Sequence, residues 1–211
     1  MSKRRKNGQP SSYSDFILDD LQTMFGVDNK VVMLNLSTQN IAPSQWLLEA
    51  LDMSSTMSLS TEKAKSEGIV LPILLALNRL NPNQFKIFSG STFDVDKSLS
   101  LVGRCDFMLS SNTTANISAP IISIFEAKND NLEDWYGQCG SKMYAARLFN
   151  KQKNKPFEVI HGAVTNGFEW QFLKLQDDIL YIDIQRYFIG NLPQLLGALQ
   201  TIVDYYKSPQ I

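Results

Sequence analysis

The sequence predicts an α/β domain, because short apolar runs typical of β-strands alternate along the chain with longer segments of helical periodicity. The strongest strand pattern covers residues 120–125, and the clearest helical patterns cover residues 60–80 and 134–150. A turn at Asn166 and Gly167 separates two further apolar runs, which predicts a β-hairpin. The chain has 211 residues, of which 44% are hydrophobic, and this is enough to form one sizeable core.

The chain begins with a basic arm at residues 1–12, which we predict to be disordered. Its four cations at positions 3 to 6 either follow a phosphate backbone or belong to a solvated tail. Residues 13–211 are predicted to form a single domain with its core at residues 60–184.

The helix predicted at residues 60–80 carries an acidic residue among its apolar positions. Its apolar stripe consists of Val70, Ile73, Leu74 and Leu77. Glu67 lies one turn before Val70 and falls on the same stripe. Pro72 removes a helical N–H, so we expect the helix to bend beside Glu67. Glu67 is therefore either an acid that faces a site in the core or a partly exposed side chain near the start of the helix.

Two opposite charges follow the strand pattern at residues 120–125. Side chains alternate across a strand, so Glu126 and Lys128 should lie on the face of Ile122 and Ile124. Both faces of this strand are apolar, and an unpaired charge in such surroundings costs several kcal/mol. The two charges should therefore either form an ion pair or hold another group, such as a metal ion and a water.

A second short strand, at residues 101–109, carries Asp106 in its middle. Nineteen residues separate Asp106 from Glu126, so the segment has the pattern D-x19-E-x-K. Two carboxylates on adjacent strands suit Mg²⁺, which prefers oxygen ligands in octahedral geometry and retains several waters. A metal held in this way can polarise a phosphodiester and lower the pKa of a bound water. Lys128 could orient this water or stabilise the charge that develops at the reacting phosphate.

The helix predicted at residues 134–150 begins a few residues after Lys128. Gln138 and Lys142 lie one turn apart within its apolar face. The start of this helix must lie near the same end of the sheet, with the positive end of its dipole toward any bound phosphate. Gln138 is then within reach of the site. The alternative is that Gln138 and Lys142 extend to solvent from the edge of an amphipathic helix.

The arrangement of Asp106, Glu126 and Lys128 resembles the PD-(D/E)xK phosphodiesterase superfamily of restriction-endonuclease-like nucleases. Residues 164–172 also resemble part of the nuclease domain of type I restriction subunits and related bacterial proteins. Together these resemblances cover residues 60–184. They imply a restriction-endonuclease-like fold, in which a mixed β-sheet is flanked by helices.

The resemblance also implies the composition of the site. The implied ligands of Mg²⁺ or Mn²⁺ are Asp106, Glu126, Glu67 and the backbone carbonyl of Ala127. Lys128 would act on the nucleophilic water, and Gln138 would support the site from the following helix. Cys105 stands where the family often has proline, and the spacing from Gln138 to Tyr144 differs from the usual one, so Tyr144 is assigned no role.

The formal net charge of −1 argues against a nucleic-acid partner, because phosphate contacts usually leave a basic footprint. The local distribution of cations favours such a partner, since several gather along and after the second predicted helix. These cations are Lys142, Arg147, Lys151, Lys153 and Lys155. No apolar run reaches membrane-spanning length and no secretory signal opens the chain, so we expect a cytoplasmic protein without a membrane partner.

The cysteines and the single histidine argue against other classes of site. Cys105 and Cys139 are too few and too far apart for a zinc cluster or a disulfide framework, and we predict two buried thiols. His161 lies on a predicted strand without an obvious partner. It is expected to be structural, which argues against histidine-based hydrolases and multi-histidine metal sites.

The function predicted from the sequence is Mg²⁺-dependent hydrolysis of phosphodiesters in DNA. One alternative is a non-catalytic module of the same fold that binds nucleic acid or a protein, with Glu126 and Lys128 as a structural ion pair. Another is a metal-dependent phosphodiesterase that acts on RNA. The oligomeric state stays open, with a homodimer among the options.

Overall fold

The computed structural model of the chain describes residues 8–36, 39–129 and 131–207. The strands within these residues are β1 (Asp28–Val32), β2 (Lys86–Thr92), β3 (Arg104–Ser110), β4 (Ile121–Ala127), β5 (Ile160–Thr165), β6 (Glu169–Gln176) and β7 (Ile179–Phe188). The α-helices are α1 (Leu18–Phe25), α2 (Gln45–Ser54), α3 (Glu62–Lys65), α4 (Leu71–Leu80), α5 (Tyr136–Gln152) and α6 (Leu192–Lys207).

The seven strands form one mixed sheet in the order β1-β7-β6-β5-β4-β3-β2. The pairs β1–β7 and β4–β5 are parallel, and the other neighbouring pairs are antiparallel. Helices cover both faces of this sheet, so the predicted α/β class with a mixed sheet flanked by helices is confirmed. No helix within the described residues is long and apolar enough to cross a membrane.

Two hydrophobic clusters lie on opposite faces of the sheet. The first cluster joins the sheet to α2, α4 and α6, and it contains Leu47, Leu74 and Leu199. The second joins the sheet to α1 and α5, and it contains Leu21 and Met143. The interior strand β4 is buried along its whole length because helices pack on both of its faces.

The helix predicted at residues 60–80 is present but is divided by an irregular turn. A π-helical turn at Ser66–Val70 separates α3 from α4, and the N–H of Leu71 donates to the carbonyl of Ser66, five residues back. Pro72 has no N–H to offer to Gly68, so the regular hydrogen-bond ladder cannot continue through this point. A π-turn therefore interrupts the regular helix next to Pro72.

A β-bulge changes which side chains share a face of β4. Leu109 lies opposite Ser123, but Ser110 lies opposite Ile121, so Ile122 is an extra residue in the ladder. Ile122 belongs to the cluster on the α4 face, whereas Ile124 belongs to the cluster on the α5 face. The prediction that Glu126 shares a face with Ile122 was therefore wrong, because strict alternation does not continue through the bulge.

The predicted hairpin connects β5 and β6. Asn166 Oδ1 accepts hydrogen bonds from the N–H groups of Phe168 and Glu169, at 3.0 and 2.9 Å. Gly167 adopts a φ of +89°, in the region that glycine tolerates best. The asparagine side chain and the glycine backbone thus explain why this turn is recognisable from the sequence.

The predicted basic arm covers residues 1–12, of which residues 1–7 lie outside the described part of the chain. Pro10 is buried, and its carbonyl accepts a hydrogen bond from Ser100 Oγ at 2.9 Å. The N–H of Tyr13 donates to the carbonyl of Val102 at 3.1 Å. The chain therefore packs against the domain several residues before residue 13.

Candidate functional site

The neighbouring strands β3 and β4 bring Asp106 beside Glu126. Phe107 lies opposite Phe125 as the last pair of this antiparallel ladder, and Asp106 and Glu126 are the next residues of the two strands. The N–H of Ala127 donates to Asp106 Oδ2 at 2.9 Å. The two acids of the D-x19-E-x-K pattern therefore lie at one end of the same strand pair.

Asp106 and Ala127 line an open cleft of about 620 Å³ at this end of the sheet. One wall of the cleft comes from α3 and the π-turn and includes Glu67. The other comes from β2 and the start of β3, where Gly90 and Arg104 lie. The cleft therefore combines three carboxylates, from Glu62, Glu67 and Asp106, with two cations, from Lys63 and Arg104.

Glu67 does not face the core as its position on the predicted stripe suggested. Its side chain is 57% exposed and its Oε1 lies 3.9 Å from Nζ of Lys63. The physical reason is the π-turn, which adds a residue to one turn and rotates the preceding positions relative to α4. Glu67 therefore reaches the candidate site only across the open cleft that it shares with Asp106.

Glu126 is fully buried, on the α5 face of the sheet, and its carboxylate is surrounded by three donors. Nζ of Lys142 lies 2.6 Å from Oε1, and Nε2 of Gln138 donates to Oε2 at 2.9 Å. Nζ of Lys128 lies farther away, 3.6 Å from Oε2. The closest ionic partner of Glu126 is therefore the lysine on α5 and not the lysine of the E-x-K pattern.

The burial and charges of this cluster shift its pKa values. Burial raises the pKa of Glu126, and Lys142 opposes that rise while Asp106 adds to it. Burial is the largest single influence on the pKa of Lys142 and would lower it, but Glu126, Cys105 and Asp106 together outweigh burial and raise that pKa. The ammonium group of Lys142 and the carboxylate of Glu126 therefore act as a desolvated ion pair within the sheet–helix interface.

Lys128 lies at the edge of this cluster. Its side chain is 8% exposed, and its Nζ stands 4.5 Å from the centre of the Trp135 ring, which favours a cation on the ring face. Its backbone N–H donates to the carbonyl of Thr165 at 2.7 Å and so extends the pairing of β4 with β5. The backbone of Lys128 is thus fixed, while its ammonium group keeps donors beyond its contact with Glu126.

Two buried polar atoms near Lys128 have no hydrogen-bond partner within the described residues. They are Oε1 of Gln138 and Nε1 of Trp135. Gln138 already uses its amide nitrogen for Glu126, so the free atom is an acceptor. Buried polar groups are nearly always satisfied by protein or by ordered water, so these atoms indicate a place for a water or a ligand.

Lys142 was not predicted to belong to the site. We expected it to form part of a basic surface or to extend to solvent, whereas its side chain is only 1% exposed. The available signal was its position four residues after Gln138, which places both side chains on one face of α5. Tyr144 stacks on Phe25 of α1, at 4.3 Å between ring centres, and it is not among the residues that line the cleft.

The other cations predicted to form a nucleic-acid surface do not gather at the cleft. Arg147 forms a salt bridge with Asp178 at 2.6 Å. Lys151 lies thirteen residues after Gln138 on α5, which corresponds to roughly 20 Å along the helix.

The first turn of α5 packs against the backbone that precedes α1. A Cβ at Gly137 would lie 2.4 Å from Cα of Ile17, so this side of the helix start is not open to a ligand.

The cysteines and the histidine lie in the interior. Cys105 and Cys139 are both free and buried, as predicted. His161 Nδ1 lies 2.8 Å from the hydroxyl oxygen of Tyr206, and the backbone N–H of His161 donates to the same oxygen at 3.1 Å. Burial, followed by the charge of Lys174, lowers the pKa of His161 to about 3. His161 is therefore a neutral, hydrogen-bonded core residue.

Within residues 8–36, 39–129 and 131–207, no group of three or more histidine, cysteine, aspartate or glutamate side chains forms a preassembled metal site. Comparison with protein families finds no matching family model, and comparison with curated proteins finds no matching relative.

Proposed function

We propose that this chain is a metal-dependent deoxyribonuclease whose site is built on Asp106, Glu126 and Lys128. The observation that carries the proposal is that Glu126 already has a closer ionic partner than Lys128. The distance from the carboxylate is 2.6 Å for Lys142 and 3.6 Å for Lys128. A buried carboxylate needs one counter-charge, and Lys142 supplies it.

Lys128 is consequently a second cation in a position where structure alone requires only one. Burying an ammonium group costs free energy, and buried charges that no structural partner requires are typical of functional sites. Lys128 follows Glu126 by two residues at the end of β4, next to the strand end that holds Asp106. This location suits an interaction with a phosphate or a water bound at the strand ends.

The residues at these strand ends fit a hard divalent cation such as Mg²⁺ or Mn²⁺. Asp106 uses Oδ2 for the N–H of Ala127, and its Oδ1 has no hydrogen-bond donor within the described residues. Ala127 lines the same cleft and would offer its backbone carbonyl, and Glu67 lies across the cleft. The carboxylate of Glu126 comes from the same end of β4 but is buried on the α5 face. Mg²⁺ commonly takes only one or two carboxylates and keeps several waters, so a preassembled cage is not required. When bound, the cation would supply polarisation of the phosphodiester and a more acidic water.

The side chains around the cation would then orient the reactants. Lys128 would donate a hydrogen bond to the nucleophilic water or to a non-bridging phosphate oxygen. Gln138 would hold Glu126 through Nε2 and accept from a water through its free Oε1. Lys142 would keep Glu126 in one rotamer without contacting the substrate. DNA and Mg²⁺ are both available in the cytoplasm, and a cytoplasmic location is part of the proposal.

A second candidate is a non-catalytic module of the same fold that binds nucleic acid or a protein. It is favoured by the observation that both oxygens of Glu126 already have donors, which is also what a purely structural ion pair requires. In that case Lys128 would be an accessory partner of Glu126 and would not touch a ligand.

The test is a cleavage assay of the full chain on supercoiled plasmid, linear duplex, single-stranded DNA and RNA, with Mg²⁺ or with EDTA. We expect Mg²⁺-dependent cleavage of at least one DNA substrate, and its loss in Asp106→Asn. Asp52→Asn, on the exposed side of α2, is the matched control and should retain activity. Cleavage of RNA alone would contradict the assignment to DNA, and no cleavage of any substrate would favour the binding module.

A further inference from the structure

We propose that Arg104 binds a backbone phosphate of the nucleic acid that occupies the cleft. This inference rests on the proposed function and names a substrate-binding residue that the D-x19-E-x-K pattern does not include. Arg104 begins β3, two residues before Asp106, and both residues line the same cleft. A phosphate held by Arg104 would therefore lie next to the position at which Asp106 would hold a metal.

The guanidinium of Arg104 is held in place by the backbone of β2. Its Nε and one terminal nitrogen, Nη2, donate to the carbonyl of Gly90 at 2.9 and 2.6 Å. Gly90 has a φ of +57°, and a Cβ there would lie 3.3 Å from Nη2. A glycine at this point thus allows both the turn of the backbone and the close approach of the arginine.

This anchoring leaves most of the guanidinium available. An arginine has five N–H groups, and two of them serve Gly90, so three remain without an acceptor in the described part of the chain. The carboxylates of Glu62 and Glu67 line the same cleft, yet neither forms a salt bridge with Arg104 among the described ion pairs. Glu67 is instead paired with Lys63, the other cation of the cleft.

A fixed guanidinium with free N–H groups matches the geometry of a phosphate, which it can bind through two parallel hydrogen bonds. A cleft with three carboxylates repels a polyanion unless a cation offsets them. Lys142 and Arg147 are already ion-paired, and Lys151 lies roughly 20 Å from Gln138 along α5. Arg104 is therefore the cation whose position and free donors suit a phosphate of the bound strand.

The experiment measures DNA affinity in the Asp106→Asn background, which keeps the substrate uncleaved. Fluorescence anisotropy would be recorded with labelled single-stranded and duplex oligonucleotides at several salt concentrations. We expect Arg104→Gln to weaken binding about tenfold, the effect of one charge-assisted contact. The slope of log Kd against log salt should fall by about 0.9 on duplex DNA, the value for one lost phosphate contact.

Arg104→Lys serves as the conservative variant and Arg79→Gln, at the exposed end of α4, as the matched control. Arg104→Lys should retain the salt slope because the charge is kept. It should lose part of the affinity because an ammonium group lacks the two parallel donors of the guanidinium. Arg79→Gln should leave both quantities unchanged. An Arg104→Gln variant that binds and responds to salt like its parent would overturn this inference, while cleavage by the wild type would still support the proposed function. A parent protein that binds neither oligonucleotide would overturn both.

Discussion

The ammonium nitrogen of Lys142 lies 2.6 Å from Oε1 of Glu126, and neither side chain is exposed by more than 1%. This contact joins α5 to the interior strand β4 through a pair of opposite charges in a largely apolar interface. Gln138, one turn earlier on α5, donates to the other oxygen of the same carboxylate. Glu126 is thereby held by two side chains of one helix. Because Lys142 neutralises the carboxylate, Lys128 is not needed as its counter-charge.

Lys142→Met should strongly destabilise the fold, because it leaves the carboxylate of Glu126 buried without its closest counter-charge. Breaking a buried pair from one side typically costs about 3 to 5 kcal/mol. Chemical denaturation of wild type and variant would give the difference in the free energy of unfolding. Arg147→Met is a suitable control, since its salt bridge with Asp178 is exposed to solvent and should contribute about 1 kcal/mol or less. A Lys142→Met protein as stable as the control would show that Glu126 is neutralised in another way.

Divalent-metal binding should depend on Asp106 more than on Glu67. Asp106 lies beside Glu126 and Ala127, whereas Glu67 is exposed and approaches only across the cleft. Titration with Mn²⁺, followed by electron paramagnetic resonance of the free ion, should give an affinity that falls about tenfold or more in Asp106→Asn. The fall in Glu67→Gln should be smaller. Equal effects of the two substitutions would assign Glu67 a direct place among the ligands, and no effect of either would place the metal elsewhere.

His161 should make the stability of the fold depend on pH below neutrality. Its pKa is about 3 in the folded chain and about 6.5 in an unfolded one. Between these values the unfolded chain binds a proton that the folded chain does not, so stability rises with pH. The contribution is fully present above pH 6.5 and is lost as the pH falls toward 3, by up to about 1.4 kcal/mol per pH unit.

The measurement for His161 compares the unfolding free energies of wild type and His161→Gln between pH 7 and pH 4.5. The wild type should lose more stability than the variant as the pH falls. The comparison removes the contributions of carboxylates such as Glu126, which titrate in both proteins. Parallel pH profiles would mean that His161 takes up its proton in the folded state without difficulty.

The sequence predicted those features that depend on short stretches of chain. The charges after the strand at residues 120–125 identified Glu126 and Lys128, and the Asn166–Gly167 turn identified the β5–β6 hairpin. Both features can be recognised from a few neighbouring residues. A charge at the end of an apolar strand is costly to bury, and an Asn-Gly pair favours a left-handed turn, in any fold.

Other features depend on contacts that no local pattern contains. The extra residue Ile122 is set by the pairing of β4 with β3, and the orientation of Glu67 is set by the π-turn before Pro72. Lys142 is a further example, because a lysine within the apolar face of a helix can reach solvent or remain inside. Which outcome occurs is decided by whether a carboxylate from another element lies within reach, and Glu126 does.

The catalytic role proposed for Lys128 is tested by the single-turnover rate of Mg²⁺-dependent DNA cleavage by Lys128→Ala, measured beside its free energy of unfolding. Because Lys142 neutralises Glu126, the variant should remain about as stable as the wild type. Its cleavage rate should fall by about 10² to 10³, the usual effect of losing one electrostatic group in the transition state. A wild type without Mg²⁺-dependent cleavage, with a Lys128→Ala variant that only loses about 3 to 5 kcal/mol of stability, would contradict the claim and assign Lys128 to a structural ion pair.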